Sequence, residues 1–194
     1  MYGMNVPMVS PQFSALRASL ALPEGTFLSP AARQRLAWPL YAPGLPLGAL
    51  TQLVGPAGGG KTEALLALAA AHPGLRLAWV ERRLSAYPPG LASRGLDLRA
   101  ALFVEGGERY AWALTEVVRS QLFKLVVAAT PLSGELPLRR LQLAAEAAQA
   151  GVVFLASDAG QAWPITLRLD VRREGKKTLV EENIPSMAML GGSG

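Results

Sequence analysis

The residues best suited to chemistry lie in one short stretch, residues 55–62, with the sequence Gly-Pro-Ala-Gly-Gly-Gly-Lys-Thr. The stretch matches the phosphate-binding pattern G-x-x-x-x-G-K-[ST] in full. Clustered glycines let the backbone curl so that several N–H groups point inward, and a helix that begins there adds its positive end. It is therefore predicted to be a P-loop that binds ATP or ADP. The predicted nucleotide-binding residues are Gly55, Pro56, Gly58, Gly59, Gly60, Lys61 and Thr62, with the Thr62 hydroxyl also binding Mg²⁺.

Hydrolysis of a nucleotide needs more than a phosphate cradle: a carboxylate for the magnesium shell and a residue that orients water. The apolar stretch 125–129 ends in Ala129 and Thr130, without an acid. Of the three aspartates in the chain, Asp158 is the one expected near the phosphates, as a magnesium ligand. Glu81, directly after another apolar stretch, is the candidate catalytic base. The alternative for Glu81 is a surface carboxylate paired with Arg82 or Arg83.

Composition excludes several other kinds of site. The chain has no cysteine and a single histidine, which excludes disulfides and thiolate chemistry and argues against a serine–histidine triad. A hydrophobic fraction of 51% with 17% charged residues is typical of a packed globular protein. The sequence contains no apolar run of membrane-spanning length and no signal-peptide pattern. A cytoplasmic protein without a membrane partner is expected.

The basic residues raise a second possibility. The net charge is +5, and the one dense basic cluster lies near the C-terminus: Arg168, Arg172, Arg173, Lys176 and Lys177. Such a cluster is predicted to be either a DNA-binding surface or the solvated face of a hairpin.

Short apolar stretches alternate with helical patterns along the chain, which predicts an α/β fold: a mainly parallel central sheet flanked by helices. Strands are expected over 49–54, 75–80, 101–104, 125–129 and 152–156, and helices over 61–71, 108–122 and 138–150. Two further stretches, 165–171 and 178–180, predict a C-terminal β-hairpin at the sheet edge, with Gly175 in its turn. Residues 1–44 are expected to be an N-terminal extension with a short helix over 29–36, residues 45–185 the nucleotide-binding core, and residues 186–194 a flexible tail.

With its order of motifs, the region 45–185 resembles the RecA recombinase core. Within that group it resembles the shortened RecA-like proteins of ImuA type, which accompany an error-prone polymerase in bacterial mutagenic repair. Besides the P-loop, the resemblance rests on four short segments: Leu-Pro-Leu-Gly at 45–48, Arg-Gly-Leu-Asp at 94–97, Ala-Thr at 129–130 and Leu-Arg-Leu-Asp-Val-Arg-Arg at 167–173. The resemblance implies a RecA-like P-loop fold.

The resemblance also implies that most catalytic positions of the recombinase are changed. An alignment anchored on residues 95–97 puts Arg83 at the position of the water-activating glutamate and Ala129 at that of the magnesium-shell aspartate. Ser157 falls at the position of the glutamine that senses the γ-phosphate. A shift of two residues would place Glu81 at the glutamate position instead. The loops 131–137 and 158–164 are short, so a strand-exchange filament is not expected.

The resemblance thus implies an ATP-binding accessory protein in DNA repair and translesion mutagenesis that hydrolyses ATP weakly or not at all. It would act through contacts with proteins such as a polymerase-like protein, RecA or a sliding clamp. One alternative is an active DNA-dependent ATPase using Glu81, with Asp158 or Thr130 completing the magnesium shell, and another is a DNA-binding module using the basic hairpin. By this resemblance Tyr87 falls near the place where the recombinase fold receives adenine, and it is expected either to stack on the base or to be a half-buried loop aromatic.

Overall fold

The structure is a computed structural model, and it describes residues 34–130, 132, 134–158 and 164–183. All of these belong to one compact unit that begins at residue 33. Its strands are β1 (Arg35–Trp38), β2 (Tyr41–Pro46), β3 (Ala49–Val54), β4 (Leu77–Glu81), β5 (Ala101–Glu105), β6 (Leu125–Ala128), β7 (Gly151–Ala156), β8 (Leu167–Glu174) and β9 (Lys177–Glu182). Its helices are α1 (Lys61–Ala70), α2 (Pro88–Ala92), α3 (Tyr110–Arg119) and α4 (Glu135–Ala148).

Seven strands form the central sheet in the order β5-β4-β6-β7-β3-β8-β9. Every neighbouring pair is parallel except β8 and β9, which form an antiparallel hairpin at one edge. The predicted α/β fold with a mainly parallel sheet, flanking helices and an edge hairpin is confirmed. The carboxyl ends of the parallel strands all meet at one side of the sheet, which is where ligands of open α/β sheets bind.

The sheet is covered on both faces, which explains why its central strands are largely apolar. Successive residues of β6 point to opposite faces: Val127 joins the core beneath α1, whereas Val126 joins the core beneath α3 and α4. Leu65 of α1 and Leu141 of α4 lie in these two cores, and both are almost completely buried. Burial on both faces fixes the central strands and therefore the position of the loops at their ends.

The N-terminal part of the described chain differs from the prediction. Arg35 and Leu36 belong to β1, so the helix expected over 29–36 does not extend to these residues; residues 29–33 lie outside the described part. Pro39 disfavours helical geometry at Trp38, and the Trp38 side chain is buried against α1, where its indole N–H donates to the Ala64 carbonyl at 2.9 Å. The small sheet of β1 and β2 therefore packs on α1, and the folded core begins before residue 45.

Other differences concern element ends. Helix α2 forms where a loop was expected, because a proline is well tolerated in the first turn of a helix. Helix α4 begins at Glu135, three residues before the predicted start, and α3 is shorter at both ends than the predicted 108–122. The hairpin turn does contain Gly175, at φ +60°. The tail expected over 186–194 lies outside the described residues. Among the described helices, none has the length and apolar character needed to cross a bilayer.

Candidate nucleotide-binding site

The predicted phosphate loop, residues 55–60, joins the carboxyl end of β3 to the first residue of α1. At its start, the Gly55 N–H donates to the Ala156 carbonyl at the end of β7, at 3.2 Å. Within the loop, the Gly59 N–H donates to the Pro56 carbonyl at 3.0 Å, and the first helical hydrogen bond of α1 runs from Ala64 N to the Gly60 carbonyl. The loop is thus held by the sheet at one end and by the helix N-terminus at the other.

Two glycines of the loop lie directly against the β8–β9 hairpin. Gly60 has φ +99°, and a Cβ added to it would lie 2.8 Å from the side chain of Thr178. A Cβ on Gly55 would lie 2.2 Å from the Val171 carbonyl oxygen. A larger residue at either position would collide with the hairpin, and at Gly60 it would also adopt left-handed backbone geometry.

Lys61 is the cation of the loop. Its Nζ donates to the carbonyl oxygens of Gly55 and Pro56, the latter at 3.0 Å. Partial burial lowers the pKa of Lys61 from its usual value. An ammonium group, glycine-rich backbone and a helix N-terminus are the donors that phosphate groups need, so these residues fit ATP or ADP.

Thr62 is the residue of this stretch that could bind magnesium. It is the second residue of α1 and is half-buried. Among the described residues, no group of three histidine, aspartate or glutamate side chains could hold a metal ion. At this loop Mg²⁺ would rest on the Thr62 hydroxyl and the nucleotide's own phosphates, with Asp158 as the additional ligand that the sequence predicts.

Glu81 is buried, with only 4% of its surface exposed. Its Oε1 accepts a hydrogen bond from the Trp79 indole N–H at 2.7 Å, and its Oε2 accepts from the backbone N–H groups of Ser85 and Ala86. The alternative prediction of a surface carboxylate paired with Arg82 or Arg83 is wrong, because the side chain points inward beneath its own loop. Both carboxylate oxygens are already engaged: Oε1 by Trp79 within β4, and Oε2 by the loop that follows the strand.

The end of β6 is polar but not acidic. The Thr130 hydroxyl oxygen accepts a hydrogen bond from the Arg82 N–H at 3.0 Å, and the Thr130 carbonyl accepts from the Tyr110 hydroxyl at 2.6 Å. Ala129 precedes it and is partly exposed. Thr130 therefore ties together the ends of β4 and β6 and the start of α3.

Asp158 lies beside the phosphate loop. It follows β7 by two residues, and the end of β7 is hydrogen-bonded to Gly55. The Ser157 hydroxyl donates to its Oδ2 at 3.2 Å, and its carbonyl oxygen accepts from the Gln52 side chain at 3.4 Å. Ser157 and Asp158 are both exposed. The structure thus places this aspartate at the strand end next to the loop.

Gln52 was missed by the sequence reasoning. It is a buried polar residue in the middle of β3, and its Oε1 accepts a hydrogen bond from Arg168 Nε at 2.9 Å. Two adjacent polar residues, Thr51 and Gln52, in a central strand that is otherwise apolar were the signal that could have identified it. Gln52 links β8 to the segment that carries Asp158.

Tyr87 is 71% exposed and its ring lies against Gly90 at the start of α2. The prediction of a half-buried loop aromatic is therefore wrong. The Tyr87 side chain is thus largely accessible to solvent, and stacking on adenine stays a prediction.

The five predicted DNA-binding residues do not share one face of the hairpin. Side chains alternate along β8, so Arg168 and Arg172 lie on one side and Arg173 lies on the side of α1. The Arg172 guanidinium pairs with Glu174 at 3.0 Å and with Glu181, and this holds the pKa of the Glu181 carboxyl below its usual range. Arg173 pairs with Glu63 of α1 at 2.9 Å. Lys176 and Lys177 are exposed at the turn and make no ion pair within the part of the chain that the structure describes.

No protein-family model matches the chain, and no curated protein matches it significantly. The function is therefore argued from the loop, its neighbours and their chemistry.

Proposed function

We propose that this chain is a RecA-like protein that binds ATP or ADP and hydrolyses it weakly or not at all. In this proposal it acts as an accessory protein in bacterial DNA repair and translesion mutagenesis. The observation that carries the proposal is the combination of a complete phosphate-binding stretch, residues 55–62, with a strand β6 followed by Ala129 and Thr130 and a Glu81 carboxylate that is already hydrogen-bonded.

The position of the loop supports nucleotide binding. It lies at the carboxyl end of a central parallel strand and leads into the 10-residue helix α1. Lys61 holds its ammonium group against the loop carbonyls, so a positive charge is already present where phosphates would bind. A nucleotide with its phosphates at this loop would meet backbone N–H groups, a helix dipole and a lysine together.

The neighbouring strand ends support slow or absent hydrolysis. Strand β6 ends in Ala128, followed by Ala129 and Thr130, so it offers no carboxylate to the magnesium shell. Glu81, at the end of β4, would have to give up its hydrogen bonds to Trp79 and to two backbone N–H groups before it could act on a water molecule. Glu63, in the first turn of α1, is paired with Arg94 and Arg173, so Asp158 is the acid predicted for this role, and one carboxylate cannot supply both functions at once.

The role in repair rests on the resemblance of residues 45–185 to ImuA-type proteins. Its expected partners are a polymerase-like protein, RecA or a sliding clamp, with DNA as a weak additional ligand. A nucleotide that is bound but not consumed would stabilise one shape of the phosphate loop and of the elements that touch it. Such a shape could be recognised by a protein partner.

The proposal is tested by calorimetric titration of ADP and Mg²⁺–ATP into the wild type and the Lys61→Ala variant. Loss of one charge-assisted contact should weaken binding about tenfold or more. Lys124→Ala is the matched control, because Lys124 Nζ also donates to two backbone carbonyls, those of Ala148 and Gln149, but at the opposite end of the sheet. This variant should bind nucleotide like the wild type.

Phosphate release is measured in parallel on the same proteins. We expect slow release that Lys61→Ala hardly changes. Fast turnover that disappears in Lys61→Ala would contradict the non-hydrolytic part of the proposal, and the absence of nucleotide binding by the wild type would contradict it entirely.

A further inference from the structure

The β8–β9 hairpin contacts the phosphate loop at both of its ends. Val171 of β8 lies against Gly55 at the start of the loop, and Thr178 of β9 lies against Gly60 at its end. Arg173 and Thr178 stand opposite each other in the antiparallel register. Because they are direct cross-strand partners, both side chains lie on the same face of the hairpin. The Arg173 side chain therefore starts beside the loop and extends toward α1.

Arg173 shares its partner with a second arginine. Arg173 Nη2 and Arg94 Nη1 both lie 2.9 Å from the same oxygen, Oε1 of Glu63. Glu63 is the third residue of α1, two residues after Lys61. Two guanidinium groups on one carboxylate leave a surplus of one positive charge in the first turn of the helix, directly beside the phosphate loop.

We propose that Arg173 is a further phosphate-binding residue, which the hairpin supplies to a nucleoside di- or triphosphate bound at residues 55–62. This inference rests on the proposed function. Glu63 holds Arg173 in the absence of nucleotide, and on binding the guanidinium transfers from Glu63 to phosphate oxygens. Arg94 stays on Glu63 and keeps that carboxylate neutralised.

The balance of charges favours this exchange. Arg173, Arg94 and Glu63 are 44%, 57% and 32% exposed, and ion pairs with such exposure contribute little to stability. A di- or triphosphate carries more than one negative charge and offers oxygens in the geometry that a guanidinium binds in a bidentate manner. The weak pair with Glu63 is therefore easily replaced by the stronger one with phosphate.

The first experiment compares Arg173→Ala with Arg172→Ala in calorimetric titrations with ADP and with Mg²⁺–ATP. Arg172 is the matched control, because it precedes Arg173 on the same strand and carries the same charge, but it lies on the other face of the hairpin and pairs with Glu174 and Glu181. We expect Arg173→Ala to weaken nucleotide binding about tenfold, the scale of one charge-assisted contact, and Arg172→Ala to leave it unchanged. Equal affinities in the two variants would overturn the inference.

The second experiment uses Glu63→Gln, for which two explanations predict opposite signs. If Glu63 competes with phosphate for Arg173, removing its charge should strengthen nucleotide binding severalfold. If Arg173 serves only to tie the hairpin to α1, Glu63→Gln should weaken binding as Arg173→Ala does, and that result would overturn the inference. This variant keeps all native arginines, so it decides the question even if Arg173→Ala does not fold.

The inference and the proposed function fail in different ways. Nucleotide binding by the wild type that is lost in Lys61→Ala supports the proposed function. If Arg173→Ala and Glu63→Gln then both bind like the wild type, the proposed function is retained and the role of Arg173 is rejected. If the wild type binds no nucleotide, both fall together.

Discussion

The indole N–H of Trp79 donates to the buried carboxylate of Glu81 across 2.7 Å, from two residues earlier on the same strand. Both side chains point to the α1 side of the sheet because alternate residues of a strand share a face. Glu81 also accepts hydrogen bonds from the loop that follows β4. The acid that the sequence singled out as a catalytic base is thus a structural anchor of that loop.

The Glu81→Ala variant is expected to be less stable than the wild type by about 3 kcal/mol, because it leaves a buried indole N–H and backbone N–H groups without acceptors. Urea unfolding with an unchanged m-value measures this loss. Glu105→Ala is the control: Glu105 also accepts from this loop, at Leu84 N, but it is exposed, so its removal should cost less than about 1 kcal/mol. Similar stabilities for the two variants would argue against the anchoring role.

The Glu81→Gln variant tests the catalytic role of the carboxylate. If Glu81 were the base of an active ATPase, this change would abolish phosphate release and leave nucleotide binding intact. We expect instead that the slow release of the wild type is unchanged, since the carboxylate is occupied by Trp79 and the loop. Parallel measurement of binding and phosphate release distinguishes the two outcomes.

The Gly60→Ala variant should lose both stability and nucleotide affinity. Alanine at φ +99° is strained by about 1–2 kcal/mol, and its Cβ would also collide with Thr178. Gly74→Ala isolates the backbone part of this effect, because Gly74 has φ +79° with open space around the added Cβ. Gly60→Ala should therefore be clearly more destabilising than Gly74→Ala.

Adding Thr178→Ala to Gly60→Ala should recover the steric part of the loss. A positive coupling between the two substitutions in a double-mutant cycle would demonstrate the contact between loop and hairpin in solution. Strictly additive effects would mean that the two residues do not touch.

Nucleotide binding should weaken as the pH rises through the pKa of Lys61. Burial lowers this pKa below the usual 10.5, so the folded chain releases the proton before the unfolded chain does. The contribution of Lys61 to folding stability therefore increases with pH between the lowered pKa and 10.5. Phosphate binding follows the opposite trend, because it requires the charged ammonium group. Titrations between about pH 7 and pH 10 measure the effect, and Lys61→Arg should abolish it because arginine stays charged. The same decline in Lys61→Arg would assign it to another group.

Binding of single-stranded DNA by the hairpin is expected to be weak and to depend on Lys176 and Lys177. Arg168, Arg172 and Arg173 each contact Gln52 or a glutamate, and they lie on two different faces. Replacing both lysines by alanine should reduce the slope of log K against log salt by about 0.7 for each lysine that contacts a phosphate. Arg172→Ala should leave the slope unchanged, and a steep slope that depends on all five residues would favour the DNA-binding alternative.

Much of the fold could be predicted because its signals are local. The strand at 49–54 and the helix beginning at Lys61 agree with the structure, since an apolar run, clustered glycines and a helical pattern follow one another without a gap. The strand β1 could not be predicted, because its stability comes from contacts of Trp38 with α1, a helix far away in sequence. The burial of Glu81 and the exposure of Tyr87 could not be predicted for the same reason, because both depend on which distant segments pack against the side chain.

The sequence by itself determined the phosphate-binding stretch, the central strands and the absence of an acid after β6. These features depend on residue type and on spacing over a few neighbours, which hydrophobic periodicity and motif patterns report directly. Only the tertiary structure decided that Thr178 lies against Gly60 and that Arg173 and Arg94 converge on Glu63. These contacts join residues that are far apart in the chain, and packing of the sheet, helices and edge hairpin is what brings them together.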